Sequence, residues 1–388
     1  MVINKSYSFR LYPTGKQSEL LAHHFGSCRF SYNRFLRERI DFYAANKGKK
    51  KQGLTYSDTS AMLTTLKKNP EFVWLKDVNS QSLQQSLRRL DVAYNNFFNK
   101  RAQFPKFKSK HDKQSFLVPQ HFDVDAELSV LHIPKFTPIK IVLHRPMEGE
   151  MKSVTISKTK TGKYFASVLC EVEQKIKPKE SGNQIGIDLG LKSFLVTSDG
   201  EAVQSPKFLR KSEEKLKFFQ RRLSRKVKGS ANRDKARHKV ALIHEKIANQ
   251  RKDFLHKLSH RLVSENQAIF AEDLNVKGMT ANHHLAKSIS DAGWSEFIRQ
   301  VEYKSEWNGA LFGQIDRFFP SSKRHFTCGW INDSLTLKDR EWACQGCGKI
   351  VDRDHNAAQN ILLFGLKQIP SDRRKSTLGE KRRAKALR

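Results

Sequence analysis

The chain has 388 residues, and its 72 Lys and Arg against 39 Asp and Glu give a formal net charge of +33. That excess exceeds what solubility needs and points to a polyanionic partner, because each neutralised phosphate releases counterions; 26 phenylalanines and regular apolar patterning exclude a chain that is simply a disordered basic tail. No secretory leader and no apolar run of membrane-spanning length is visible, and five cysteines, three of them clustered at metal-type spacing, fit a reducing compartment better than a disulfide framework.

Residues 2 to 12 alternate as a strand that ends at Pro13. Leu21, Phe25, Cys28, Tyr32, Phe35 and Leu36 then recur at steps of three and four, which predicts a long helix. Lys47 to Lys51 read as a basic loop. A second helix follows with Leu83, Leu87, Leu90, Tyr94 and Phe97 on one face. The segment from residue 13 to about 104 is therefore expected to be a helical bundle. Beyond "FPKFKSK" the period becomes two, and "KSVTISKTKTGKYFASVLCEVE" predicts a hairpin around Lys-Thr-Gly. A small barrel or curled sheet is expected from residue 119 to about 175, joined by the first strand. Cys28 and Cys170 fall at core positions, and "EQKIKPKESGN" reads as a linker.

"QIGIDLGLKSFLVTSDGEAV" predicts three strands with an Asp-Gly turn. It leads into a Lys- and Arg-dense helical hairpin broken at Lys228-Gly229-Ser230, whose acidic partners are too few for a surface of paired charges. That hairpin is expected to lie along nucleic acid. "NQAIFAEDL" is a buried strand with an acidic end, "SDAGWSEFIRQVEYKSEWNGAL" one amphipathic helix and "FGQIDRFF" another strand. The last stretch, from residue 367, is basic and poor in apolar residues, the composition of a disordered tail.

Strands and helices in this order give an α/β pattern, and its carboxylates fall at informative places. Asp188 sits in a buried strand between Gly186 and Gly190, where an unpaired carboxylate is costly unless it meets a metal. Glu272 ends a second buried strand. Asp354 opens the closing helix, where capping would be an alternative role. Three carboxylates without local Lys or Arg partners suit a pair of Mg²⁺ (or Mn²⁺) ions. Asp273 and Asp352 are neighbours that sequence alone separates poorly from the ligands.

"GIDLGLKSF", "AEDLNVKGM", "SISDAGWSEFIRQVEYK", "FFPSSK", "CGW" and "DRDHNAAQNI" closely resemble the TnpB family of insertion-sequence-encoded, RNA-guided DNA nucleases related to type V CRISPR effectors. The resemblance covers essentially the whole chain. It implies a wedge β-barrel (1–12 and 119–182) interrupted by a helical recognition domain (13–118). It further implies a RuvC-like nuclease of RNase H fold (183–319 and 351–366), a nucleic-acid-binding zinc ribbon (320–350) and a basic tail (367–388). The catalytic acids implied are Asp188, Glu272 and Asp354. On the family's zinc ribbon, Cys328, Cys344 and Cys347 fill three ligand positions and His325 stands where the first Cys is usual, with 15 residues between the two pairs. Implied partners are a guide RNA from the element's end (omega RNA) and target double-stranded DNA, bound by a monomer in a prokaryotic cytoplasm, at the nucleoid, with no membrane. Tyr56, Ser60, Gln81, Gln84, Gln120 and His121 are candidates for contacts to the target-adjacent DNA motif. An unguided RNase H-fold strand-transferase and a DNA-binding regulator without useful catalysis remain as alternatives.

Overall fold

The computed structural model describes residues 2–48, 53–179, 182–336 and 338–369. The chain divides into two compact units, Met1–Gln174 and Lys175–Arg388.

The first unit opens with β1 (Val2–Tyr12). Thr14 caps α1 (Gly15–Ala45), with Gln17 closing a reciprocal capping box. After α2 (Tyr56–Leu66) and a 3₁₀ turn (Pro70–Lys76) comes α3 (Ser80–Phe98). The remaining strands are β2 (Gln114–Val118), β3 (Asp123–Asp125), β4 (Val130–His132), β5 (Ile139–Val142), β6 (Glu150–Lys158) and β7 (Tyr164–Glu173). They form one antiparallel sheet in the order β2-β6-β7-β1-β5-β4-β3, with β1 between β7 and β5. Side chains alternate in and out along β7, and Gly162 at φ +82° makes the β6–β7 turn. Phe9, Leu21, Phe35, Leu83, Leu87, Phe116, Ile156 and Val168 share one core between sheet and helices, and Cys28 and Cys170 are buried in it.

Two expectations need correction here. The sheet is open: its end strands β2 and β3 do not pair with each other among the described residues, so of the two expected forms it is the curled sheet and not the closed barrel. The sheet begins at Gln114, before residue 119, since β2 pairs with β6. The helix α2 escapes a periodicity reading because it buries only Thr59 and Leu63. Of the basic loop Lys47–Lys51, residues 49–51 lie outside the described residues.

The second unit carries β8 (Gln184–Leu189), β9 (Ser193–Thr197) and β10 (Ala202–Gln204), then the hairpin of α4 (Phe208–Ser224) and α5 (Ala231–Glu265). Gly229 at φ +86° and the capping Ser230 make the break between the two helices. Next come β11 (Ala268–Glu272), α6 (Val276–Met279), α7 (His283–Ala292), α8 (Trp294–Asn308) and β12 (Leu311–Ile315). A two-stranded ribbon, β13 (Glu341–Ala343) and β14 (Ile350–Asp352), precedes α9 (Arg353–Gln368). The main sheet runs β10-β9-β8-β11-β12, antiparallel through the first three strands and parallel from β8 to β12.

One sheet face, with Ile185, Ile187, Ile269 and Ala271, packs with Leu258 and Leu262 of α5 and Trp294 and Phe297 of α8. The other receives α9. The expected single helix after residue 290 is two, because Gly293 at φ +73° ends α7 and starts α8. The stretch after Gln174 is no free linker: the Lys179 amide donates to the Gly309 carbonyl at 3.0 Å and the Lys179 ammonium to the Val263 carbonyl at 2.8 Å. The tail starts later than residue 367, since α9 runs to Gln368 and Ile369 is buried; residues 370–388 lie outside the described residues. Among the described residues no helix is long and apolar enough to cross a membrane.

Candidate active site and metal centre

Strand register brings the first two acids together. Ile187 lies beside Ala271 in the parallel β8–β11 pair, so the next residues, Asp188 and Glu272, are neighbours at the strands' carboxyl ends. Both point to the face that receives α9, because side chains alternate and Gly186 is covered by that helix. A methyl group on Gly186 would overlap the Ala358 carbonyl and the Leu362 amide. The glycine therefore admits the helix backbone. One turn before Ala358 stands Asp354, whose charge acts on Asp188.

The backbone of Asp188 pairs with β9, but its carboxylate has no hydrogen-bond partner among the described residues. Burial, then the neighbouring charges of Glu272 and Asp354, push its carboxyl up to about 8. Burial also raises Glu272, against the pull of a hydrogen bond from the Ser321 hydroxyl. Asp354 departs from expectation, for it is not free of cations. Arg353 donates to one oxygen at 2.8 and 2.9 Å, and Arg340 reaches the other at 3.3 Å. The ribbon explains this contact: the Arg353 amide donates to the Arg340 carbonyl at 2.8 Å, extending the β13–β14 ladder beside the acid. Nor does Asp354 cap α9. Asp352 does, accepting from the His355 amide at 2.7 Å, while Asp273 is half-buried and paired with Arg317. The two look-alike acids thus have other partners.

Sequence reading missed the residues that hold this edge. Asn356 and Asn360, one turn apart on the buried face of α9, both donate to the Arg324 carbonyl, and Asn360 also donates to the Ser321 carbonyl at 2.9 Å. The Asn356 oxygen accepts from the Phe326 amide at 2.8 Å. One pair of amides thereby fixes both Ser321, which touches Glu272, and the start of the metal centre. The available signal was two asparagines at helical spacing within an apolar face.

The candidate metal centre is built from two copies of one turn. The His325 amide donates to the Trp330 carbonyl at 2.7 Å and the Gly329 amide to the His325 carbonyl at 2.8 Å; Cys344 repeats both bonds with Lys349 and Gly348 at 2.8 and 2.7 Å. Gly329 and Gly348 have φ of +77° and +74°. His325 therefore occupies the place in its turn that Cys344 occupies in the other. Its Nδ1 lies 3.1 Å from the Cys328 sulfur and 3.3 Å from that of Cys347, and Cys328 and Cys344 are 3.4 Å apart. These three distances are close to the roughly 3.5 Å edge of a zinc tetrahedron, and all four ligand atoms fall within 4.8 Å of one another. Use of Nδ1, the nearer ring nitrogen, lets an imidazole fill a cysteine position. The Trp330 amide helps lower the Cys328 thiol to about 6, favouring the thiolate that a metal needs.

The six motif candidates lie in the first unit. Gln81 donates to Gln120 at 2.9 Å, and Arg88 stacks over Tyr56 at 4.8 Å. Gln84 and His121 are exposed, and Ser60 is half-buried in α2. The structure thus joins Gln81 to Gln120 and gives Tyr56 a cation partner.

Comparison with known proteins adds the following. A family described as "Probable transposase" matches residues 167–283, a "Cas12f1-like, TNB domain" residues 294–361 and a "Helix-turn-helix domain" residues 1–48. In the structure this last segment holds one strand and one long helix. "Putative RNA-guided DNA endonuclease" of Streptomyces pristinaespiralis is 42% identical over 94% of this chain and 90% of its own. "Putative RNA-guided DNA endonuclease InsQ" of Escherichia coli (strain K12) is 35% identical over 93% of this chain and 92% of its own. The fold is that of a chain in a Cas12f1–sgRNA–target DNA complex, with a TM-score of 0.56 at 14% identity over 93% of this chain and 98% of that one.

Proposed function

The chain belongs to the TnpB family, and from that premise we propose that it is an RNA-guided DNA endonuclease of an insertion sequence. It cleaves matching DNA beside a short target-adjacent motif by metal-dependent phosphodiester hydrolysis. The observation that carries the catalytic part is the convergence of Asp188, Glu272 and Asp354 at one sheet edge, with the Asp188 carboxyl unpartnered and its negative charge disfavoured there. The strand order β10-β9-β8-β11-β12, with acids ending the third and fourth strands of that row, supports an RNase H-type, RuvC-like nuclease in the second unit.

These three carboxylates fit a pair of Mg²⁺ or Mn²⁺ ions, since a crowded, unpaired acid gains most from a cation. When bound, such ions supply Lewis-acid activation of the attacking water and neutralise charge at the leaving oxygen. The protein's own groups set the stage. Ser321 orients Glu272, and Arg353 and Arg340 hold Asp354. The His355 ring, 3.0 Å from the Ser198 carbonyl, fixes the start of α9 over the sheet edge. His325, Cys328, Cys344 and Cys347 would together hold one zinc, which would anchor the ribbon beside that edge.

A guide RNA divides the labour between protein and base pairing. The protein holds a heteroduplex by shape and backbone, which a charge of +33 suits, while pairing reads the sequence. The test is to purify the protein with its RNA, replace the 3′ guide segment, and supply DNA matching the new segment beside the same flanking motif. Cutting is expected to move to the new target. An enzyme that keeps cutting the original DNA whatever RNA is supplied is an unguided strand-transferase or nuclease, and that outcome overturns the reading.

A further inference from the structure

Away from the acids and the metal centre, the first unit contains a small polar cavity of roughly 40 Å³ between α1, α3 and β2. Four cations line it: Arg29 from α1, Arg89 from α3, and Lys108 and Lys113 from the segment before β2. None of the four is paired with a carboxylate among the described residues. Arg29 donates to the Gln114 side chain at 2.8 Å, and Arg89 reaches the Ser115 hydroxyl only at 3.5 Å. Asp112, the nearby acid, accepts from the Ser109 amide at 2.6 Å, and its charge partly offsets the repulsion on Lys108 without forming an ion pair with it.

This is a built arrangement and not a solvated basic face. The Lys108 ammonium sits 3.7 Å from the centre of the buried Tyr32 ring, although much of the residue is exposed. Its backbone is clamped from both sides by Asn33, which accepts from the Lys108 amide at 2.8 Å and donates to its carbonyl at 2.9 Å. Burial lowers both Arg89 and Lys108 from their usual values, with like-charge repulsion from Arg89 adding to the effect on Lys108. Four converging cations against the single nearby carboxylate of Asp112 leave an excess of positive charge that costs free energy in the empty protein. A tetrahedral oxyanion would offset that cost, and a cavity of this size exceeds what a single water fills.

We propose that this cavity binds one backbone phosphodiester of a nucleic acid, with Arg89 and Lys108 as its principal donors and Arg29 and Lys113 at its rim. The inference rests on the reading that the chain binds a guide RNA and DNA, and it adds a residue-level phosphate site in the first unit. Such a contact carries no sequence information, but it fixes the register of a strand on the protein. Gln114 and Ser115 share β2 with the cavity, and Gln120 follows that strand. A phosphate held there would set the depth at which a duplex meets the Gln81–Gln120 pair.

The test compares wild type with Arg89→Gln/Lys108→Gln in the full chain, reading binding alone so that failure of guided cutting cannot be confused with failure of the site. In one arm the RNA that co-purifies is bound to RNA-free protein. In the other a short DNA duplex is bound to the preformed RNA complex. Each is titrated across salt concentration. In the arm whose nucleic acid supplies the phosphate, the variant's salt slope is expected to fall by about one, identifying RNA or DNA as the source. Thermal melts of the nucleic-acid-free proteins form the second measurement. There the variant should melt no lower than wild type, and inorganic phosphate should raise the wild-type midpoint more than the variant's. Unchanged slopes in both arms, or equal shifts by inorganic phosphate, would overturn the proposal; a conservative Arg89→Lys variant should keep most of the wild-type slope.

Discussion

At the scale of single residues, Asp188 carries the sharpest expectations. Asp188→Asn removes one of three converging carboxylates, so cleavage is expected to drop by on the order of a thousandfold with RNA binding unchanged; cutting at near the wild-type rate would remove Asp188 from the site. The same substitution has a stability signature when magnesium is omitted. The folded carboxyl titrates at about 8, whereas an unfolded aspartate titrates near its model value of 3.8. Between those values the folded state holds the extra proton, so wild type loses stability as pH rises through this window. Asn cannot ionise, so the melting advantage of Asp188→Asn should grow from about pH 4 and level off above about pH 8. His325 gives a second residue-scale test. His325→Cys should retain one zinc per chain, while His325→Ala should lose zinc to a competing chelator more readily than wild type but less readily than Cys344→Ala. Equal retention by wild type and His325→Ala would make His325 a bystander. Asp188 was legible because an acid inside an apolar run has few other roles. The arginines on Asp354 were not, because Arg340 reaches it only through the β13–β14 pairing, and no local spacing announces that contact.

At the scale of elements, α9 is what assembles the site. It brings Asp354 over β8, its asparagines hold Ser321 and the first metal-binding turn, and it lies directly on glycine. Gly186 faces Ala358 and Leu362, and Gly365 faces the Phe270 ring. Gly186→Ala should therefore cost about 1–3 kcal/mol through overpacking. It should also depress cleavage beyond what the lost folded fraction explains, because the helix must lift and carry Asp354 with it. Urea midpoints and cleavage rates measured on the same preparation separate the two effects; a stability loss with full activity would mean that the helix yields elsewhere. The strands and long helices were readable because period two and period three-to-four patterns each specify one buried face. Closure of the sheet, the Gly293 break and the role of Gly186 were not. Each depends on which neighbour arrives at a backbone position, and a hydrophobic pattern carries no record of that. The same limit applied to Glu272 and Asp273, adjacent acids that only strand direction and the Arg317 pair tell apart.

For the whole molecule, the question is which parts of a chain with a net charge of +33 are needed for cutting and which only for holding nucleic acid. The described fold closes at Ile369, which is buried with Ala268, Phe270 and Ile315. Residues 371 to 388 have only two leucines and two alanines with which to build a core, yet they carry six of the net positive charges. Charge of this kind acts through counterion release, which strengthens binding at low salt and fades as salt rises. Deleting the chain from Ser371 should therefore leave specific cutting at low salt close to wild type. RNA affinity should become less salt-dependent by up to a few units of slope, so that the truncated protein binds most weakly, relative to wild type, in dilute salt and the gap narrows as salt increases. Loss of specific cutting with the RNA still saturating would mean instead that this stretch belongs to the catalytic assembly, and the division between a holding surface and a cutting edge would have to be redrawn around it.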